Sequence, residues 1–229
     1  MATTSIAVVA LGPFGHAVAR LLASMRPGVA EAEPGGDPAA INAGAGAIIL
    51  ASWRPAPQLF DALDDECHKR EKPLLPVLID GTILRVGPLV IPGAGPCFRC
   101  WTQRLAQHAS GSDPRLAVES FYGACEDATG PRGYLEAYAA VGAARACQIL
   151  GNVQAGTAEA GGVWQMEMLS RRTTASVAAG IHGCSRCGLD RPEAERAFAA
   201  IRAAVADELA DLWARPAKPG RGHPVQGAH

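Results

Sequence analysis

The sequence predicts an α/β protein built on a doubly wound, mostly parallel sheet, and three observations carry that expectation. An apolar run from Ser5 to Leu11 meets a glycine turn, Gly12-Pro13-Phe14-Gly15, and then a helical recurrence of Ala17, Val18, Leu21 and Leu22. The alternation repeats downstream, where apolar runs at Ala47 to Ala51 and Leu74 to Ile79 flank Leu59, Phe60, Leu63 and Cys67 at helical spacing. The composition suits one core of aliphatic side chains: 48% of the 229 residues are hydrophobic and only 5% aromatic, with 26 glycines and 17 prolines as punctuation.

The elements follow in order. After the first strand and helix, Val29-Ala30-Glu31 is a short second strand and Pro34-Gly35-Gly36-Asp37-Pro38 a loop. Ala47 to Ala51 is a buried strand, and the helix through Leu59 to Cys67 ends in the charged run His68 to Lys72. Leu74 to Gly81 and Thr82 to Val86 form two strands joined near Asp80-Gly81, a strong turn signal. A loop is expected over roughly 111–130, then an alanine-rich helix from Tyr134 to Leu150. Val163 to Val177 places Trp164, Met166 and Met168 on one period-2 face and reads as a strand pair turning near Arg171-Arg172. Asp190-Arg191-Pro192-Glu193 opens a last helix, because Asp190 can cap the first amides and Pro192 lacks one. Its stripe of Phe198, Ile201, Val205, Leu209 and Leu212 is expected to pack on the body, and the chain from Pro216 onward to be disordered.

Charge excludes some functions. With 21 Lys+Arg against 22 Asp+Glu, the chain has no broad attraction for nucleic acid or an anionic membrane, so neither is an expected partner. No run approaches the roughly 18 apolar residues of a membrane span, and no basic region precedes the first strand. The expected location is the cytoplasm, where the seven cysteines should be thiols or metal ligands rather than disulfides.

The sharpest motif is a pair of CxxC knuckles, Cys97-Phe98-Arg99-Cys100 and Cys184-Ser185-Arg186-Cys187, each in turn-forming company. Together Cys97, Cys100, Cys184 and Cys187 supply four soft ligands, the set a tetrahedral zinc prefers; redox dithiols are the alternative the spacing leaves open. Because protein fills every position, such a zinc would be structural, clamping the two segments together. His182 is read as a capping or surface residue, and Cys67, Cys125 and Cys147 as isolated thiols. Gly12 and Gly15 stand where a phosphate-binding turn would be, but Phe14 takes the place of the middle glycine of the dinucleotide pattern and no third glycine follows. We therefore read a fold-making turn, with Glu31 or Glu33 as the only nearby acids for a ribose. The incomplete glycine pattern also speaks against a nicotinamide- or flavin-dependent oxidoreductase.

With these residues in view, the chain resembles the ThiF-like superfamily of ubiquitin-activating-type adenylyltransferases over about residues 5 to 190. The stretch from Val86 through Pro92-Gly93-Ala94-Gly95-Pro96 to Trp101, with Arg104 after it, and the second knuckle, His182 to Gly188, are similar to the ThiF-like partner proteins of bacteriocin and azole-peptide cyclodehydratase systems. The resemblance implies a Rossmann-like domain over 1–190 that includes the zinc knuckle, a C-terminal helix over 191–215 packed on it, and a disordered tail over 216–229. Active members use acidic and basic groups after the second and third strands. This sequence has Glu31-Ala32-Glu33-Pro34-Gly35 and Ala51-Ser52-Trp53-Arg54-Pro55 there, so Gly12 and Gly15 are expected to be a vestigial nucleotide turn, with ATP and magnesium unused. Arg54 reads as a surface arginine in a proline-flanked loop. What the resemblance then implies is a non-catalytic scaffold that presents a ribosomal precursor peptide to a YcaO-type cyclodehydratase, or docks with that enzyme. Such work needs an exposed sheet edge or groove for an extended peptide and a second surface for the enzyme. Relatives often carry a leader-binding domain ahead of the glycine turn, yet four residues precede Ser5, which makes docking the safer expectation. The alternative is an ATP-dependent adenylyltransferase activating a peptide or sulfur-carrier C-terminus. Relatives of this fold often dimerise, so a homodimer is among the expected assemblies.

Overall fold

The structure, a computed structural model, describes residues 5–32, 35–108, 114–124, 129–131, 133–181, 183–187 and 205–206. The chain divides into two units, Met1–Leu189 and Asp190–His229, and the first is described below. Only 205–206 of the second are described, as helical, so the cap at Asp190, the helix over 191–215 and the tail over 216–229 otherwise lie outside the described residues.

Seven strands make one sheet: β1 (Ile6–Leu11), β2 (Val29–Ala32), β3 (Ala47–Ser52), β4 (Leu74–Asp80), β5 (Ile83–Val86), β6 (Gly162–Glu167) and β7 (Thr173–Val177), in the spatial order β2-β1-β3-β4-β5-β6-β7. β2, β1, β3 and β4 pair in parallel, and β5, β6 and β7 continue antiparallel, so five strands point one way and two the other. All six residues of β3 are buried, the near-continuous apolar pattern of a central parallel strand covered on both sides. The Asp80-Gly81 turn and the turn before Thr173 both lie where the sequence places them.

Among the described residues six helices accompany the sheet: α1 (Gly12–Met25), α2 (Pro38–Ala43), α3 (Pro57–Lys69), α4 (Phe98–His108), α5 (Pro114–Ala124) and α6 (Glu136–Gln154). Right-handed connections carry α1 to one face and α2 and α3 to the other. Packing agrees, with α1 against α6, and α3 against α2 and α4. Small residues let α6 lie close on the sheet: Ala139, Gly142, Ala143 and Ala146 are buried, and a Cβ on Gly142 would lie 3.1 Å from Val77 Cγ1 of β4. Among the described residues no helix is long and apolar enough to cross a membrane.

Three expectations need correction. The stretch 111–130 is not all loop, because α5 occupies Pro114–Ala124; Pro114 suits a first helical turn, and Tyr122 near the end of the helix meets the Arg54 guanidinium. α2 was hidden in the Gly/Pro-rich stretch, where the Asp37 carboxylate accepts the Ala39 amide at 3.0 Å and Pro38 opens the helix, a cap followed by proline. α6 runs to Gln154, past the expected end at Leu150.

Candidate metal centre and the glycine crevice

The two knuckles come from different parts of the fold. Cys97 directly precedes α4 and Cys100 lies in its first turn, where unpaired amides and the helix dipole favour thiolates. Cys184 and Cys187 follow β7 in a turn-rich stretch, reached through Gly183 at φ +80, where the Cys184 N–H donates a hydrogen bond to the Ile181 carbonyl at 3.2 Å. Their Sγ atoms all lie within 4.8 Å of one another. Cys97 and Cys100 are 3.7 Å apart, Cys97 and Cys184 3.7 Å, and Cys100 and Cys187 3.2 Å. A tetrahedron of thiolates at about 2.3 Å from a central ion has edges of about 3.8 Å, so the four cysteines can hold a metal ion.

The electrostatics point the same way. The Cys187 thiol is held down to about 4, first by its hydrogen bond with Cys97. Cys97 is pushed up because it keeps the proton of that bond, and burial pushes Cys100 up to about 11. Thiolates packed this closely repel one another, and a central cation is what lets all four ionise together. Backbone amides support the sulfurs: Cys97 N–H donates to Cys187 Sγ and Ile181 N–H to Cys100 Sγ, both at 3.4 Å.

A buried carboxylate that the sequence reading missed ties the two knuckles together. Asp64 of α3 is 0% exposed; its Oδ1 accepts the Phe98 amide at 3.1 Å and its Oδ2 accepts Arg186 Nη1 at 2.5 Å. Burial alone would raise its pKa, but hydrogen bonds from His68, the Phe98 amide and Arg186 outweigh that and hold it below the usual carboxylate range. Arg186 also reaches Asp65 at 3.1 Å and Asp61 at 3.3 Å, and the Phe60 ring stacks on Phe98 at 4.7 Å. The available signal was an aspartate inside the apolar stripe Phe60, Leu63, Cys67, together with an arginine between two ligand cysteines.

Among the other expected site residues, Cys67 is fully buried with its thiol pushed up to about 12 by burial, a core residue; Cys147 is half-buried. His182, Cys125 and Glu33 lie outside the described residues. Glu31 stands on β2 with its carboxylate 2.5 Å from His16 Nδ1. Arg54 is not on the surface: it is 2% exposed, stacks on Tyr122 at 4.7 Å and donates through Nη1 to the Pro55 and Tyr122 carbonyls at 3.1 and 3.3 Å. The guanidinium anchors α5, and flanking prolines concealed that it is drawn inward.

Gly12 and Gly15 sit at the start of α1, at the ends of the adjacent strands β1 and β3, whose connections run to opposite sides of the sheet, the place where open α/β sheets form their crevice. Gly12 has φ +70, and a Cβ there would collide with the Trp53 indole; a Cβ on Gly130 would lie 2.8 Å from the same ring. Trp53, directly after β3, is 8% exposed, so its indole fills the space between the two glycines. Gly15 serves packing: a Cβ there would collide with the Ala51 carbonyl oxygen. Phe14, in the middle-glycine place, is fully buried and meets Tyr134 edge-on at 5.9 Å.

No protein-family model matches this chain, and no curated protein does. Solved structures do share its fold. The heterocyclase TruD superposes with a TM-score of 0.58 at 21% identity, over 81% of this chain and 28% of that one. A heterocyclase in complex with substrate and cofactor gives 0.59 at 16%, over 81% and 26%. E. coli MccB gives 0.57 at 13%, over 83% of this chain and 66% of that one. The chain therefore spans about a quarter of the length of the two heterocyclases and has the fold of that portion of them.

Proposed function

We propose that this chain is a non-catalytic, zinc-clamped ThiF-like scaffold in the biosynthesis of ribosomal azole peptides, carrying a precursor peptide to a YcaO-type cyclodehydratase or docking with that enzyme. The observation that carries the reading is Trp53, whose indole takes the crevice over Gly12 in which a nucleotide's phosphates would meet the α1 amides. With that crevice filled, Gly12 and Gly15 are a vestigial nucleotide turn on a Rossmann-like domain. The fold shared with two heterocyclases supports the pathway, and the four-thiolate donor set supports structural zinc, since every coordination position is protein. The adenylyltransferase alternative requires the indole to vacate a site where it is 8% exposed.

Reconstitution tests the reading. Added to a YcaO-type cyclodehydratase and its precursor peptide, the chain should raise the rate of ring formation, counted as loss of one water per ring, without exchanging pyrophosphate into ATP by itself. Pyrophosphate exchange by the chain alone, or a ring-forming rate indifferent to it, would overturn it.

A further inference from the structure

The sheet ends on an edge of unusual character. β7 pairs with β6 on one side, and among the described residues no strand lies on the other. Its five residues, Thr173-Thr174-Ala175-Ser176-Val177, are all exposed and include no charge, glycine or proline, so the side chains of the strand itself do not guard it against strand addition. The pairing fixes which groups are free. Ala178 N–H donates to the Gly161 carbonyl and the Arg172 carbonyl accepts from Glu167 N–H, so even-numbered residues face β6. Thr173, Ala175 and Val177 therefore direct their N–H and C=O groups outward.

Beside that edge is a cavity of about 290 Å3, roomy against the roughly 30 Å3 of a water in the liquid. Ala175 and Trp164, directly paired, form its floor, and Arg145, Ile149 and Asn152 of α6 line it. The Arg145 guanidinium lies 5.9 Å from the Trp164 ring, and its Nη1 donates to Gln148 at 2.6 Å. Among the described residues its Nε meets no acceptor and it forms no ion pair, although Glu159 lines the same cavity. An arginine held this way on the flank of an open edge calls for a carboxylate, and with Arg171 and Arg172 at the end of the edge the arginines outnumber Glu159 in the cavity and Glu167 across from Arg172.

We propose that β7 is a strand-addition site for an extended acidic peptide, which continues the sheet through Thr173, Ala175 and Val177 and places a glutamate or aspartate in the cavity against Arg145. A second copy of β7 would not serve, since its own five residues include no carboxylate. This assignment rests on the reading of the chain as a peptide carrier and gives that peptide its docking surface.

The test uses the full zinc-loaded chain, labelled with nitrogen-15, titrated with a short end-capped peptide of alternating serine and valine bearing one central glutamate, and with its glutamine twin. The glutamate peptide should shift the Thr173, Ala175 and Val177 amides and the Arg145 Nε–H signal, and bind roughly tenfold or more tighter than the twin. Arg145→Gln should erase that preference. Ala175→Pro, which removes an outward amide and no bond to β6, should abolish binding of both peptides while the remaining amide spectrum persists. Should Ala175→Pro fail to fold, the Arg145→Gln comparison still decides. Unmoved β7 signals at millimolar peptide, equal affinity of the twins for the unmodified protein, or a dimer that Ala175→Pro converts to monomer would each overturn the proposal. The two readings fail separately: silent β7 signals alongside successful reconstitution sink only this groove, and pyrophosphate exchange sinks the scaffold whatever the peptide does.

Discussion

The carboxylate of Asp64 meets the guanidinium of Arg186 at 2.5 Å, inside a helix face where Asp64 is 0% exposed, and its other oxygen holds the amide beside Cys97. One buried group thus orients both halves of the cysteine cluster. Asp64→Asn removes the buried charge and leaves Arg186 only the more exposed Asp61 and Asp65, which should cost about 1–3 kcal/mol and weaken metal binding about 10- to 100-fold. Chelator competition checks this, and a twofold change or less would show that the knuckles hold their shape without Asp64.

Metal content follows from the cluster itself. Protein prepared without chelator should contain about one zinc per chain, and stripping the metal should unfold the region where α4 meets the chain after β7. Cys100→Ser or Cys187→Ser should lower both zinc content and melting temperature. Unchanged values in both variants would make the cluster a dithiol store rather than a metal clamp.

His68 gives a pH signature. Burial works against its charged form, but the Asp64 carboxylate, 3.6 Å from Nδ1, outweighs that and raises its pKa above 6.5. A raised folded pKa means stability that is complete below the unfolded value and lost as pH climbs through the folded one. His68→Gln should therefore destabilise the protein near about pH 5 and much less near about pH 9. Urea unfolding at the two pH values measures it, and an equal cost at both would contradict the pairing.

Trp53 gives a packing prediction. Removing the indole, as in Trp53→Ala, should cost about 3–5 kcal/mol. Gly12→Ala should cost more than Gly130→Ala, because it both meets the ring and strains a backbone at φ +70. Equal, small costs in thermal denaturation would mean that the ring moves aside freely.

Much of this was legible in the chain and some was not, for reasons visible in particular residues. The buried strands announced themselves because they need runs such as Ala47 to Ser52, whereas the edge strand β2 gave only the short Val29-Ala30-Glu31 signal; the four ligand cysteines were legible because CxxC spacing is local. Asp64 was hidden because its partners, Phe98 and Arg186, are distant in sequence and only the fold brings them to α3. Arg54 misled because proline-flanked loops are usually surface features, whereas here the guanidinium is drawn inward against Tyr122 of α5. The Arg145 cavity depends on the small side chain of Ala175 opposite a long helix, a pairing that periodicity alone does not specify.

The filled crevice is tested most directly by calorimetric titration of the zinc-loaded chain with magnesium ATP, at concentrations that detect a dissociation constant up to about 1 mM. With the Trp53 indole packed over Gly12 in the place of the phosphates, as proposed, no heat beyond dilution is expected. Saturable binding would contradict it and return the chain to the ATP-dependent adenylyltransferases.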